Sequence, residues 1–254
     1  MTKLGFMMSA TGITRAGIRI ALPAWVTLLL LSSCHRHPVF PETGSIRFGI
    51  VHQVDQQELF ADSIVYMNAA GNQYSVSKLE YYVSGITLTG DGIDSYTDGK
   101  VHYVNAFRSS TCQWVMENIP VGDYNKISFH IGLVPDSNKT GGLPGNMENI
   151  NMAWPEPMGG GYHFLKLEGH FLDSANAVAG YALHVGTNAC LGSVYLDTTL
   201  TVRFQNQRLD LVMNVNEWFG NPTRLDLNQV NYTMGDQVRM LELINNGTNA
   251  FAFK

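Results

Sequence analysis

Alternating apolar and polar residues constrain the fold of this chain more than any other feature of its sequence. Between Ser45 and His52, apolar side chains fall at every second position, which is the period of a strand with one buried face. Comparable runs recur along most of the chain, at residues 45–52, 73–89, 101–107, 112–119, 124–133, 162–172, 180–185, 193–204 and 208–215. Short strands separated by turns predict an all-β single domain of the β-sandwich or related barrel type.

Two segments depart from this strand pattern. Residues 134–161 contain four prolines, several glycines and little periodicity, and they predict a long irregular loop of the kind that is usually functional or disordered. The presence of Trp154 and several methionines favours an ordered loop. Residues 235–246 have apolar positions at helical spacing and end at a glycine, so we expect one short C-terminal helix.

The N-terminus has the three parts of an export signal. Basic residues come first, an apolar run follows at residues 20–31, and Leu31-Ser32-Ser33-Cys34 comes next. The apolar run is too short to span a bilayer. Small residues directly before a cysteine resemble the lipobox that a lipoprotein signal peptidase cleaves. The alternative is an ordinary secretory signal in which Cys34 has no special role.

The lipobox interpretation sets the predicted organisation of the chain. Residues 1–33 are the signal peptide, Cys34 carries the lipid, residues 34–43 form a tether, and residues 44–254 form the β domain. The lipid chains would anchor the protein to a membrane of the cell envelope, on the periplasmic or cell-surface side.

Charge and motif content narrow the function classes. The formal net charge is −5, and an acidic protein is repelled by phosphate backbones, so no nucleic-acid partner is expected. The sequence has no nucleophile elbow, P-loop, dinucleotide fingerprint, CxxC or HExxH motif. We therefore predict a protein that is not an enzyme. A hydrolase with paired carboxylates is the weaker alternative.

The cysteine count suggests a disulfide. If lipid occupies Cys34, then Cys112 and Cys190 remain, and such a pair usually oxidises outside the cytoplasm. The alternative is that both thiolates bind a metal, although their wide separation in sequence does not favour it.

Histidines are the other candidate ligands. His52 ends the first strand on the face of its apolar residues, and His184 closes another strand just before Gly186. Each is either an imidazole ligand for copper or zinc or a hydrogen-bonded structural residue. His163 and His170 lie seven residues apart in one strand, which predicts that they point to opposite faces.

Taken together, seven stretches resemble one known family in order and spacing. They are residues 48–52, 77–86 with Tyr81-Tyr82, 131–133, 152–154, 161–169 with Tyr162-His163-Phe164-Leu165-Lys166-Leu167-Glu168-Gly169, 184–190 with His184-Val185-Gly186, and 249–251. The family is the MbnP-like family of methanobactin-associated periplasmic copper-binding proteins and related lipoproteins. The resemblance spans nearly the whole predicted domain.

The resemblance implies a copper site. In the family, two histidines bind copper, and a tryptophan that a di-haem peroxidase-like partner oxidises to kynurenine supplies a further ligand. By position these residues are His52, His184 and Trp154. Met152 could add a thioether, and His163 is either a replacement ligand or a surface residue. Prolines follow Trp154 where the family has aromatic residues.

Two functions remain open at this level. The first is an envelope-anchored copper-binding lipoprotein for copper acquisition, storage or handling, and it predicts that His52 and His184 lie close enough to share one ion. The second is a non-metal scaffold on the same fold, whose 134–161 loop holds a glycan, a peptide or a partner protein. It predicts that these two histidines lie apart.

Overall fold

The computed structural model describes residues 42–204 and 207–254. The predicted signal peptide and Cys34 lie outside these residues. The described strands and α-helices are β1 (Thr43–Val54), β2 (Gln57–Glu58), β3 (Tyr66–Met67), β4 (Gln73–Tyr74), β5 (Lys78–Thr89), β6 (Tyr96–Asn105), β7 (Gln113–Pro120), β8 (Gly122–Ile131), α1 (Met147–Asn151), β9 (His163–Leu172), β10 (Val178–Gly186), β11 (Gly192–Val202), β12 (Gln207–Asn214), α2 (Gln237–Gly247) and β13 (Phe251–Phe253).

These strands form two sheets. In the five-stranded sheet the order is β13-β12-β1-β2, with β7 also paired to β1. In the eight-stranded sheet the order is β11-β8-β5-β9-β4-β3, with β10 paired to β9 and β6 paired to β5. Strands β1 and β12 run parallel. Strand β5 is the centre of the larger sheet, since it pairs with β6, β8 and β9.

Aromatic contacts between the two sheets show that their inner faces pack together. The ring of Phe251 in β13 lies 5.1 Å from that of Phe129 in β8 and 6.4 Å from that of Tyr81 in β5. All three rings are buried, and burying a large apolar side chain stabilises the fold by roughly 1.5–3 kcal/mol. The predicted β-sandwich-like fold is confirmed.

The alternation in the first strand is also confirmed. Ile46, Phe48, Ile50 and His52 are all buried in β1, as the period of two predicts. Strands β2, β3 and β13 were not apparent from the sequence, because two or three residues are too few to show a period.

The long segment between β8 and β9 covers the outer face of the eight-stranded sheet. The hydroxyl of Tyr82 in β5 donates a hydrogen bond to Asn149 Oδ1 at 2.6 Å. The ammonium of Lys166 in β9 donates to the carbonyl oxygen of Asn151 at 2.5 Å. The predicted irregular loop is therefore tied to the sheet, and it contains the short helix α1.

Helix α2 matches the predicted C-terminal helix. It begins after Asp236, whose carboxylate accepts hydrogen bonds from the backbone N–H groups of Val238 and Arg239. Its buried residues include Met240 and Ile244. No helix in the described part of the chain is long and apolar enough to cross a membrane.

The cap of α2 gives a stability prediction. Replacing Asp236 with alanine removes the acceptor for two N–H groups, so we expect the free energy of unfolding to fall by about 1 kcal/mol. Urea denaturation of both proteins measures the difference. Asp236→Asn is the matched control, because asparagine also caps helices well. A loss equally large in the asparagine variant would contradict this role of the cap.

The predicted disulfide is not formed in the structure. Within the described residues, Cys112 and Cys190 are both free thiols. Cys112 lies just before β7, where its thiol donates to the carbonyl oxygen of Asn105 at 3.3 Å. Cys190 is buried in the turn between β10 and β11. The prediction was wrong because a count of cysteines does not say which elements carry them. Cys112 and Cys190 lie next to different strands.

Candidate metal centre

His184 is held by both its backbone and its side chain. It lies in β10, and its backbone N–H and C=O both bond to the hydroxyl of Thr233, at 2.8 and 2.6 Å. Its ring Nε2 lies 2.9 Å from Glu168 Oε1 in the neighbouring strand β9. Its other ring nitrogen, Nδ1, is buried and has no hydrogen-bond partner among the residues that the structure describes. A buried polar atom without a partner is uncommon and needs an explanation.

Glu168 fixes which nitrogen of His184 carries the proton. The hydrogen bond from His184, together with the hydrogen bonds and charge of Lys78, lowers the pKa of Glu168 to about 2. Lys78 Nζ lies 3.1 Å from both carboxylate oxygens. An ionised carboxylate can only accept hydrogen bonds. His184 Nε2 is therefore the donor, and in the neutral ring Nδ1 has the lone pair.

A β-bulge turns His163 toward the same side of the sheet as His184. Strands β9 and β10 pair in regular register up to Val185, which lies opposite Leu165, but the next residue, Gly186, lies opposite His163. The extra residue in β9 is Phe164. A bulge of one residue reverses the alternation of side chains beyond it.

The consequence is a pair of histidines on the outer face. The rings of His163 and His184 lie 5.0 Å apart, centroid to centroid, at an angle of 88°. Because of the bulge, His163 also lies on the same face as His170, and the prediction of opposite faces was wrong. Of the two roles considered for His163, the surface role does not fit, because the side chain is buried.

His163 is neutral at physiological pH and has a fixed proton position. Burial, with the charge of Lys166 adding to it, lowers its pKa to about 4. Its Nδ1 lies 3.1 Å from the carbonyl oxygen of Met152. Since a carbonyl can only accept, Nδ1 carries the proton and Nε2 has the lone pair.

Trp154 and Met152 both lie at this pair of histidines. The indole ring of Trp154 is 4.7 Å from the ring of His163, and its Nε1 donates to the carbonyl oxygen of Met158 at 3.1 Å. Trp154 also packs on Gly186, where a Cβ atom would lie 2.3 Å from the indole. Met152 is fully buried and contributes its carbonyl oxygen to His163.

His52 lies elsewhere. It is buried between the two sheets, where its Nε2 is 2.9 Å from the hydroxyl of Tyr81 and where burial lowers its pKa to about 4. Tyr81 pairs with Leu165, whereas His184 pairs with the next residue, Lys166. Since successive side chains point to opposite faces, Tyr81 and His184 lie on opposite sides of the sheet. The structure therefore does not bring His52 and His184 together.

The donor set at the outer face suits a metal of low coordination number. Within residues 42–204 and 207–254, no group of three or more His, Cys, Asp or Glu side chains could hold a metal ion. What the face offers is two imidazoles, each with one ring nitrogen bonded to a carboxylate or a carbonyl. This is the arrangement in which protein ligands to metals are usually oriented. The residues fit Cu(I) better than a hard cation that requires several oxygen ligands.

Comparisons with known proteins agree with this fold. The model of the MbnP family matches residues 43–235, so the chain belongs to that family. Among solved structures, MbnP from Methylosinus trichosporium is similar in fold, with a TM-score of 0.51 and 12% sequence identity over 70% of this chain and 78% of that one. No curated protein matches the sequence.

Proposed function

We propose that this member of the MbnP family binds Cu(I) through His163 and His184 and serves copper acquisition, storage or handling at the cell envelope. One observation carries the proposal. His184 Nδ1 is buried without a hydrogen-bond partner in the described part of the chain, and its ring contacts the imidazole of His163. A metal ion would satisfy this lone pair.

The chemistry of the pair favours the monovalent ion. Imidazole nitrogens bind copper well, and Cu(I) accepts few ligands. The low pKa of His163 means that no proton competes for its lone pair near neutral pH. The protein would hold and release Cu(I). It therefore acts as a copper carrier or store and does not catalyse a reaction.

Trp154 is the residue that the family resemblance implies as a third ligand. Its ring contacts His163, so kynurenine formed at this position would add its polar groups beside the pair. The oxidation would depend on a di-haem peroxidase-like partner. Mass spectrometry of the peptide that contains Trp154, from protein isolated from its native envelope, tests this part separately.

The envelope location is a separate part of the proposal. Lipid on Cys34 would hold the domain at a membrane, with residues 34–43 as a tether. Incorporation of labelled fatty acid into the protein, and its loss in Cys34→Ala, tests the anchor. Labelling that persists in the alanine variant would contradict it.

Copper titration tests the central part of the proposal. The full chain, purified in detergent, is titrated with Cu(I) against a competing chelator, beside His163→Ala, His184→Ala and His52→Ala. His170→Ala is the matched control, because His170 is an exposed residue of the same strand as His163. We expect the first two substitutions to abolish tight binding and the other two to leave it unchanged.

The contrary outcomes distinguish the alternatives. If His52→Ala abolishes copper binding while His163→Ala does not, the ligands are His52 and His184, as the family resemblance implies. The pair of His163 and His184 is then not the site. If the wild type takes up no copper from the chelator, the scaffold function becomes the better one. That alternative draws on the exposed apolar residues Met147 and Ile150 of α1, with exposed fractions of 66% and 58%, as a surface for a partner.

Glu168 should control the copper affinity without binding the metal. Replacing it with alanine removes the acceptor that fixes the proton of His184, and we expect the Cu(I) affinity to fall about 10–100-fold. Glu80→Ala is the matched control, since Glu80 pairs with Lys166 on the same face and bonds to Asn105 instead of a histidine. If both variants lose the same Cu(I) affinity, the affinity depends on the negative charge near the site and not on the orientation of the His184 ring.

A further inference from the structure

A cavity beside Trp154 is lined by uncharged residues, two of which are methionines. Its volume is 290 Å³, and it is lined by Trp154, Met158, Thr187, Gly235, Gln237 and Met240. Of the described residues that line it, none carries a charge. Two are thioethers and one is an indole, so the groups that face a guest are soft, polarisable and neutral.

The two methionines reach the cavity from different parts of the chain. Met158 follows Trp154 in the segment that covers the sheet, and its carbonyl oxygen accepts the indole N–H. Its terminal methyl lies 3.1 Å from the position that a Cβ of Gly235 would occupy, so the side chain reaches a second residue that lines the cavity. Met240 is buried in α2, one turn after Gln237. Both methionines therefore line one cavity.

Trp154 is the wall that this cavity shares with the histidine pair. The same indole that lines the cavity contacts the ring of His163 at 4.7 Å between centroids. A guest in the cavity is therefore one side chain away from the imidazoles.

We propose that this cavity is a second site for a soft monovalent cation, Cu(I), bound by the thioethers of Met158 and Met240 beside the indole of Trp154. Thioethers select soft ions such as Cu(I), whereas Mg²⁺ and Ca²⁺ prefer oxygen ligands. Neutral walls favour one positive charge over two, because each further charge increases the cost of desolvation. A role in passing copper to the histidine pair rests on the proposed function.

The test follows the methionine methyl groups directly. The full chain in detergent is labelled with [ε-¹³C]methionine and titrated with Ag(I), a soft monovalent ion that stands in for Cu(I), in chloride-free buffer. Met158→Leu and Met240→Leu assign two of the resonances, and leucine keeps the side-chain volume, so both variants should fold. Met67, whose exposed fraction is 57% and which lies outside the cavity, is the internal control. Mg²⁺ is the hard-ion control.

We expect the Met158 and Met240 resonances to shift together with Ag(I) but not with Mg²⁺, while the Met67 resonance stays in place. The same shifts should persist in the double variant His163→Ala/His184→Ala. If both resonances stay in place through a large excess of Ag(I), or if the shifts vanish with the histidines, the proposed cavity site is wrong. If the shifts persist while wild-type histidines bind no Cu(I), only the proposed function fails.

Discussion

Lowering the pH from 7 to 4 should reduce the free energy of unfolding by about 6 kcal/mol, because two buried histidines resist protonation in the folded state. Burial lowers the pKa of His52 and of His163 to about 4 in each case, from an ordinary value of 6.5. One pKa unit corresponds to about 1.4 kcal/mol, so each histidine accounts for about 3 kcal/mol by pH 4.

The sign follows from which state binds the protons. Between pH 6.5 and 4, the unfolded chain takes up protons on both rings while the folded protein does not, so acid favours unfolding. The stability is fully present above about pH 6.5 and is lost as the pH falls toward 4. A loss of this size is comparable with the whole stability of a typical domain, roughly 5–15 kcal/mol.

Urea denaturation of the metal-free protein at a series of pH values measures this effect. His52→Gln and His163→Gln should each remove about half of the pH dependence in this window, because glutamine does not titrate. His170→Gln, at an exposed residue of the same strand as His163, is the matched control. If the free energy of unfolding falls as steeply with pH in His52→Gln and His163→Gln as in the wild type, groups other than these two histidines cause the pH dependence.

Replacing Gly186 with alanine should displace Trp154 and weaken copper binding. A Cβ at this position would lie 2.3 Å from the indole ring, a distance at which one of the two groups must move. Overpacking of this kind costs about 1–3 kcal/mol of stability. Because Trp154 contacts His163, its displacement should also open the histidine pair to water and lower the Cu(I) affinity.

Gly180→Ala is the matched control for this substitution. Gly180 lies in the same strand, but a Cβ there would lie 3.9 Å from its nearest neighbour, an ordinary contact. Urea denaturation and Cu(I) titration of both variants give the comparison, and the fluorescence lost in Trp154→Phe identifies the Trp154 signal. If Gly186→Ala matches Gly180→Ala in stability, affinity and Trp154 fluorescence, the packing of Trp154 on Gly186 does not support the site.

The sequence was sufficient for those parts of the fold that depend on local periodicity. Strand β1, with His52 on its buried face, and helix α2 follow from the spacing of apolar residues within one element. Strand β13 has only three residues, and its place is decided by its pairing with β12, so its pattern alone could not reveal it. The state of Cys112 likewise depends on which strands lie beside it.

The histidine pair depends on a feature that periodicity cannot predict. His184 and Trp154 were candidates from the family resemblance, but strict alternation leaves His163 on the wrong face. The bulge at Phe164 reverses that face. The signal that could have suggested it is the polar residue itself, since a buried histidine needs a polar partner. The sequence does not reveal Glu168 as the hydrogen-bond partner of His184, because the two residues come together only when β9 and β10 pair.

The most direct measurement of the proposed copper site records the histidine ring nitrogens by long-range ¹H–¹⁵N NMR during titration with Cu(I). Each nitrogen reports whether it carries a proton, a lone pair or a metal. We expect His184 Nδ1 and His163 Nε2 to change together at one equivalent of Cu(I), while both nitrogens of His52 stay as they are. Changes at the His52 nitrogens, with those of His163 and His184 unaltered, would contradict a site on the outer face of the sheet.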